Sequence, residues 1–204
     1  MHRIFERWRK HNNGEVPQSH TRNNRNITAQ NVARRMAAQK LRQVLSGKMR
    51  DRELNAMNRL MSHRFHHIEV KGTTFQIDDF HTRAMSTILE FGPQRSLELV
   101  DLVKKEGKKI LDAADTNRDS DIIRNAKVNL IENVEILSLA IEKPAWFFET
   151  TINSLSELRQ NITKLKQMRF KNKTALISVL DEKLESGHQI AIEFAHTLIP
   201  RTRV

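Results

Sequence analysis

The 204-residue chain contains no cysteine and no tyrosine, and only six glycines and four prolines. Without thiols, disulfides, thiolate metal sites and cysteine nucleophiles are excluded together, so any metal would need histidine or carboxylate ligands. So few glycines leave little from which to build phosphate-cradling loops. No P-loop, Gly-x-Ser-x-Gly elbow, zincin motif or dinucleotide fingerprint occurs either, which argues against an enzyme and against any cofactor. No apolar run approaches the roughly 18 residues needed to cross a bilayer, and the basic residues 1–10 are not followed by an apolar stretch of the signal type. The expectation is an intracellular protein, cytoplasmic or nuclear, that is not secreted.

Acid is the remaining scarcity, and it is local. Residues 16–50 hold no Asp or Glu but eight bases: Arg22, Arg25, Arg34, Arg35, Lys40, Arg42, Lys48 and Arg50. Residues 1–71 carry 16 Lys and Arg against 5 Asp and Glu, whereas residues 72–204 carry 19 of each, so the whole net charge of +11 sits in the front third. Charge segregated in this way points to an acidic partner, because a globular surface normally intersperses both signs. Arg dominates the stretch, and its planar fork matches phosphate oxygens as a lysine point charge does not.

Glycine and proline stand mostly where helical periodicity stops, at Gly47, Gly72, Gly92-Pro93, Lys143-Pro144 and Gly187. Between them Leu, Ile, Met, Ala, Lys, Arg, Glu and Gln favour helix. The fold class expected is all-α: a helical bundle of about five or six helices, preceded by two basic amphipathic helices and a disordered basic N-terminal arm. Residues 1–27 form the arm, 28–71 the basic helical pair and 72–204 the neutral bundle. In the pair, Leu41, Val44 and Leu45 share one face, and Leu54, Met57, Leu60, Met61, Phe65 and Ile68 share another in a helix expected over 51–68. Arg42, Arg52 and Arg59 point away from those faces. Residues 70–77 are read as a loop.

In the bundle, helices are expected over 95–114 and 121–142, with Gly107 on the apolar face of the first, where it permits close helix approach. A third begins at Pro144, whose missing amide suits a first helical position. Its stripe runs through Phe148, Ile152, Leu155, Leu158, Ile162, Leu165 and Met168. Two further helices, 174–185 and 188–198, are expected on either side of Ser186-Gly187.

Several constellations compete as sites. The leading one is the phosphate-contacting set Arg22, Arg25, Arg34, Arg35, Lys40, Arg42, Lys48, Arg50, Arg52 and Arg59. A second basic run, Arg159 to Lys173, reads as a solvated helix end, where cations suit the C-terminal dipole. His63 and His67 lie four apart, as a helical metal pair would, but no carboxylate completes a site, so no metal is assigned. Asp115, Asn117, Asp119 and Asp121 imitate the opening of a calcium loop; Ser120 and Ala126 occupy the positions that need Gly and Glu, leaving an Asp-rich turn that caps a helix. Asp78 and Asp79 are read as helix caps. Of the adjacent rings Trp146, Phe147 and Phe148, all three cannot face inward, and Trp146 and Phe148 are the candidates for a partner interface.

The function expected is non-enzymatic nucleic-acid binding, RNA in preference to DNA, by the Arg-rich front, with the bundle serving homo-oligomerisation. The alternatives are a helical adaptor that binds a protein partner, and a protein of the membrane surface that uses the same cations.

Overall fold

The computed structural model describes residue 36 and residues 39–63, 66–114 and 120–198. Residues 39–46 are helical and precede α1 (Asp51–Met61), β1 (His66–Val70), β2 (Thr73–Ile77), α2 (Phe80–Phe91), α3 (Pro93–Ala114), α4 (Ser120–Glu142), α5 (Pro144–Gln167) and α6 (Lys173–Leu198). The chain divides into two compact units, Met1–His63 with Glu98–Glu135 and Arg64–Leu97 with Ile136–Val204. The division falls inside α3, between Leu97 and Glu98, and inside α4, between Glu135 and Ile136. Neither unit is therefore one continuous piece of chain.

The first unit holds helices and turns and no strand among its described residues. Leu41 and Leu45, four apart, are buried, which turns Lys40, Arg42 and Gln43 outward. The chain reverses through a turn in which the Lys48 and Met49 amides both donate to the Leu45 carbonyl. α1 then starts where the Glu53 carboxylate accepts a hydrogen bond from the Arg50 amide at 3.0 Å, one arm of a capping box. Asp51 and Glu53 in its first turn and Arg59 in its last match the helix dipole. Leu54, Met57, Leu60 and Met61 form its buried face, and Leu99, Val100, Val103, Leu130 and Val134 of α3 and α4 are buried in the same unit. Gly107 lies against Ile131: a Cβ there would meet the Ile131 Cδ1 at 2.5 Å. The close approach read from the sequence is thus present.

The second unit is built on a β-hairpin and, among its described residues, five helices or parts of helices. β1 and β2 pair antiparallel with Val70 opposite Thr73 and His66 opposite Ile77. Lys71 and Gly72 make the turn with φ of 50° and 75°, the left-handed pair whose twist suits a two-residue hairpin. Val70, Phe75 and Ile77 on its inner face pack on Leu158, Ile162 and Leu165 of α5 and on Ile177 and Leu180 of α6. α5 and α6 form an antiparallel helical hairpin around residues 168–172, with Leu155 lying against Gly187 near the middle of both helices. Phe80, Phe147 and Phe194 are fully buried, and each contributes about 1.5–3 kcal/mol relative to exposure.

Four expectations need correction. The segment 70–77 is no loop: it holds strand β2 and the turn, so the described residues are mostly helical, as the all-α reading has it, with a small two-stranded sheet added. The helix expected over 51–68 stops at Met61, since residues 66–70 pair as β1. The two helices expected around Ser186-Gly187 are one, α6; buried Gly187 takes contact with Leu155 and Thr82 instead of ending the helix. The buried stripe of α5 is Phe147, Thr151, Leu155, Leu158, Ile162 and Leu165, leaving Phe148 half-buried and Ile152 exposed. The Thr151 hydroxyl donates to the Phe147 carbonyl at 2.8 Å, which lets a polar residue occupy a core position.

Candidate nucleic-acid interface

The cations expected to meet phosphate differ in what the fold does with them. Arg22, Arg25, Arg34 and Arg35 lie outside the described residues. Lys40 and Arg42 are exposed on the helical residues 39–46, and Arg52 and Arg59, seven residues apart, share the exposed face of α1. The Arg50 side chain is 85% exposed even though its Nε stands 3.6 Å from Glu53. Lys48 is directed elsewhere. Its Nζ lies 2.6 Å from Oε1 of buried Glu106, and Lys109 reaches the same oxygen at 3.0 Å. The hydrogen bonds from Lys48 and Lys109 hold the Glu106 carboxyl below its ordinary 4.5, against the opposing effect of burial.

α3 adds cations that the sequence reading passed over. Lys105 and Lys108 are exposed, while Lys104 pairs with Glu135 at 3.2 Å. Their signal was available as two Lys-Lys doublets four residues apart, 104–105 and 108–109, which places one member of each on the same helical side.

In the second unit, the start of α2 carries Asp78 and Asp79, the acids read as helix caps. Asp78 Oδ1 accepts from the Phe80 amide at 2.8 Å, as a capping side chain does. Its Oδ2 stands 3.5 Å from Nδ1 of buried His81, whose ring packs 5.3 Å from that of Phe147. Asp79 Oδ2 accepts from Arg83 at 2.7 Å and from Lys183 of α6 at 3.1 Å. Burial pushes the Asp79 carboxyl up, but Arg83 and Lys183 outweigh it and hold the group below its ordinary 3.8. The Lys183 contact ties the start of α2 to α6, the His81 ring ties it to α5, and the Asp78 and Arg83 contacts fix the first turn of α2 itself.

His63 is buried at the end of the first unit's helix pair, and its carbonyl accepts from Asn133 at 3.4 Å. His66 and His67 are exposed on β1, so the helical spacing that would have paired His63 with His67 does not exist. Residues 115–119 of the Asp-rich turn lie outside the described residues; the helix they precede, α4, begins at Ser120. Trp146 is 40% exposed and Phe148 half-buried, while Phe147 takes the core position. No described helix is long and apolar enough to cross a membrane. The chain matches no protein-family model, no curated protein and no solved structure.

Proposed function

We propose that this chain is a non-enzymatic nucleic-acid-binding protein that grips RNA, in preference to DNA, through its front third and uses its helical body to self-associate. The observation that carries the reading is the confinement of the entire charge of +11 to residues 1–71. Exposure of Lys40, Arg42, Arg50, Arg52 and Arg59 supports it, because cations turned to solvent are free to replace the counterions of a phosphate backbone. Asn and Gln among the arginines suit single-stranded RNA, whose phosphates, 2′-hydroxyls and base edges all accept such donors. Self-association would set several weak cationic surfaces along one polymer and raise the effective concentration of each.

The test is a salt titration of fluorescently labelled RNA, with DNA of the same sequence as competitor. Six or more phosphate contacts predict a loss of about a thousandfold in affinity between roughly 50 and 200 mM salt. Reversing Arg42, Arg50, Arg52 and Arg59 to Glu together should weaken binding alike for all sequences. Equal affinity of parent and variant in dilute salt would sink the proposal. Light scattering with and without RNA measures the oligomer.

A second reading, docking of a protein partner on the start of α5, is favoured by Trp146 and by Ile152, 36% exposed beside Phe148. Loss of partner capture in a Trp146→Ala, Ile152→Ser double variant that still binds RNA would select it.

A further inference from the structure

Between Glu157 and Asp181 the sequence holds no acid, and Arg159, Lys164, Lys166, Arg169, Lys171 and Lys173 all lie in that interval. The fold gathers them at one end of the second unit, around the last turns of α5, the connection 168–172 and the first residue of α6. Two of the six are occupied. Lys166 pairs with Asp181 of α6 at 3.0 Å, and Lys173 donates to the Lys166 carbonyl. Arg159, Lys164, Arg169 and Lys171 are exposed, and none makes an ion pair with a described carboxylate. A solvated helix end explains Lys164 and Lys166, which sit in the last turn of α5 where the dipole is negative. It does not explain Arg159, two turns earlier, or Arg169 and Lys171 beyond the helix.

The hairpin widens the same end. Its inner face is buried on this half of α5 and on the start of α6, and the Asn161 amide donates to the Gln76 carbonyl at 3.2 Å. Gln76 pairs with His67, which is exposed, as is Lys71 at the turn. Exposed Gln160, Gln167 and Asn172 lie between the cations and supply hydrogen-bond donors of the kind that phosphate and sugar oxygens accept. Large apolar side chains here are turned inward: Met168 and Phe170 pack against the hairpin core, and no residue from 158 to 178 is among the exposed large hydrophobics. A membrane site would combine cations with an exposed apolar anchor; the connection 168–172 offers none, and Val179, 51% exposed, lies nearly two turns into α6.

We infer that the α5–α6 turn, with Arg159, Lys164, Arg169 and Lys171 as its free cations, is a second site for a sugar-phosphate backbone, separate in the chain from the front third. The choice of nucleic acid as ligand rests on the proposed function, but the site does not depend on any front residue. Two sites on one chain bind one long polymer with an effective concentration set by the polymer between them, so short RNA feels each site alone and long RNA feels both.

The experiment compares four full-length proteins on labelled oligouridylate across a salt series: the parent, a front variant (Arg42, Arg50, Arg52 and Arg59→Gln), a turn variant (Arg159, Lys164, Arg169 and Lys171→Gln) and the two combined. A charge-preserving turn variant (Arg159→Lys, Lys164→Arg, Arg169→Lys, Lys171→Arg) separates loss of charge from loss of fold. The expected result for the turn variant is a weakening of about tenfold or more in dilute salt and a salt slope shallower by roughly three, with the charge-preserving variant close to the parent. A turn variant that matches the parent in affinity and slope, while the front variant fails, overturns the second site and leaves the proposed function standing. A front variant that matches the parent while the turn variant fails does the reverse. Loss of binding to phosphatidylserine vesicles, with RNA affinity unchanged, would assign the turn to lipid and overturn the inference.

Discussion

The two basic stretches, Lys40 to Arg59 in one unit and Arg159 to Lys173 in the other, hold their charge in different ways. The first crosses the start of a helix, where the dipole calls for acids, and Asp51 and Glu53 are supplied within it. The second crosses the end of a helix, where Lys164 and Lys166 are welcome and no carboxylate is needed. The first also gives up Lys48 to Glu106, a residue of α3. The second gives up Lys166 to Asp181. Formal charge counted along a chain therefore overstates what a partner meets, and the overstatement depends on which helix terminus the charges surround.

The largest effect that would sharpen this contrast is on affinity. The front charge-reversal variant is expected to lose binding by about a thousandfold in dilute salt, a loss that fluorescence anisotropy reads directly. Next comes stability of the second unit. Phe147→Ala should destabilise by about 3–5 kcal/mol in urea unfolding, from lost transfer energy and the cavity left under His81 and α5. If the unfolding midpoint moved no more than for Trp146→Ala, the assignment of the core position to Phe147 would be wrong.

A smaller effect separates Lys48 from Arg59. Lys48→Gln leaves Glu106 with Lys109 alone and should lower stability at neutral pH while hardly changing the salt slope. Arg59→Gln, exposed on α1, should lower stability only slightly, through the lost dipole interaction, and make the slope shallower by roughly one. An exchange of these two outcomes would break the comparison. The pH dependence follows from the same pair. Glu106 and Asp79 both have carboxyls held low in the folded chain, so their stabilisation is complete above 4.5 and 3.8 respectively and is lost as pH falls through the lowered values. Lys48→Gln should diminish this acid sensitivity, as read by urea midpoints along a descending pH series. The hairpin turn gives a separate test, since Gly72→Ala places a side chain at a φ of 75° and should cost about 1–2 kcal/mol by the same urea assay.

The long helices were legible because their apolar residues recur at helical spacing and their ends carry recognisable residues, as Pro144 does for α5. What escaped had tertiary causes. Gly187 reads as a stop, but the neighbours that press on it, Leu155 and Thr82, come from distant parts of the chain and make its missing side chain a packing requirement. Thr151 reads as a surface residue until its hydroxyl is seen bonded to the Phe147 carbonyl, and the stripe of α5 was accordingly displaced by one residue at its start. The hairpin was missed because Lys71 gives no warning of a left-handed conformation that Asn or Asp would have announced. Among the site residues, exposure of Arg42, Arg52 and Arg59 followed from periodicity alone, whereas capture of Lys48 by Glu106 spans 58 positions and has no local signature.

Because the boundary between the units is drawn through the middle of α3 and α4, no single cut in the chain releases either one whole. Deleting the first 63 residues would strand Leu99, Val103, Leu130 and Val134, which now lie buried, without the side chains that cover them in their own unit. A shortened protein that lost its grip on RNA would thus report misfolding as readily as missing charge. The question of where the polymer binds belongs to point substitutions in the intact molecule.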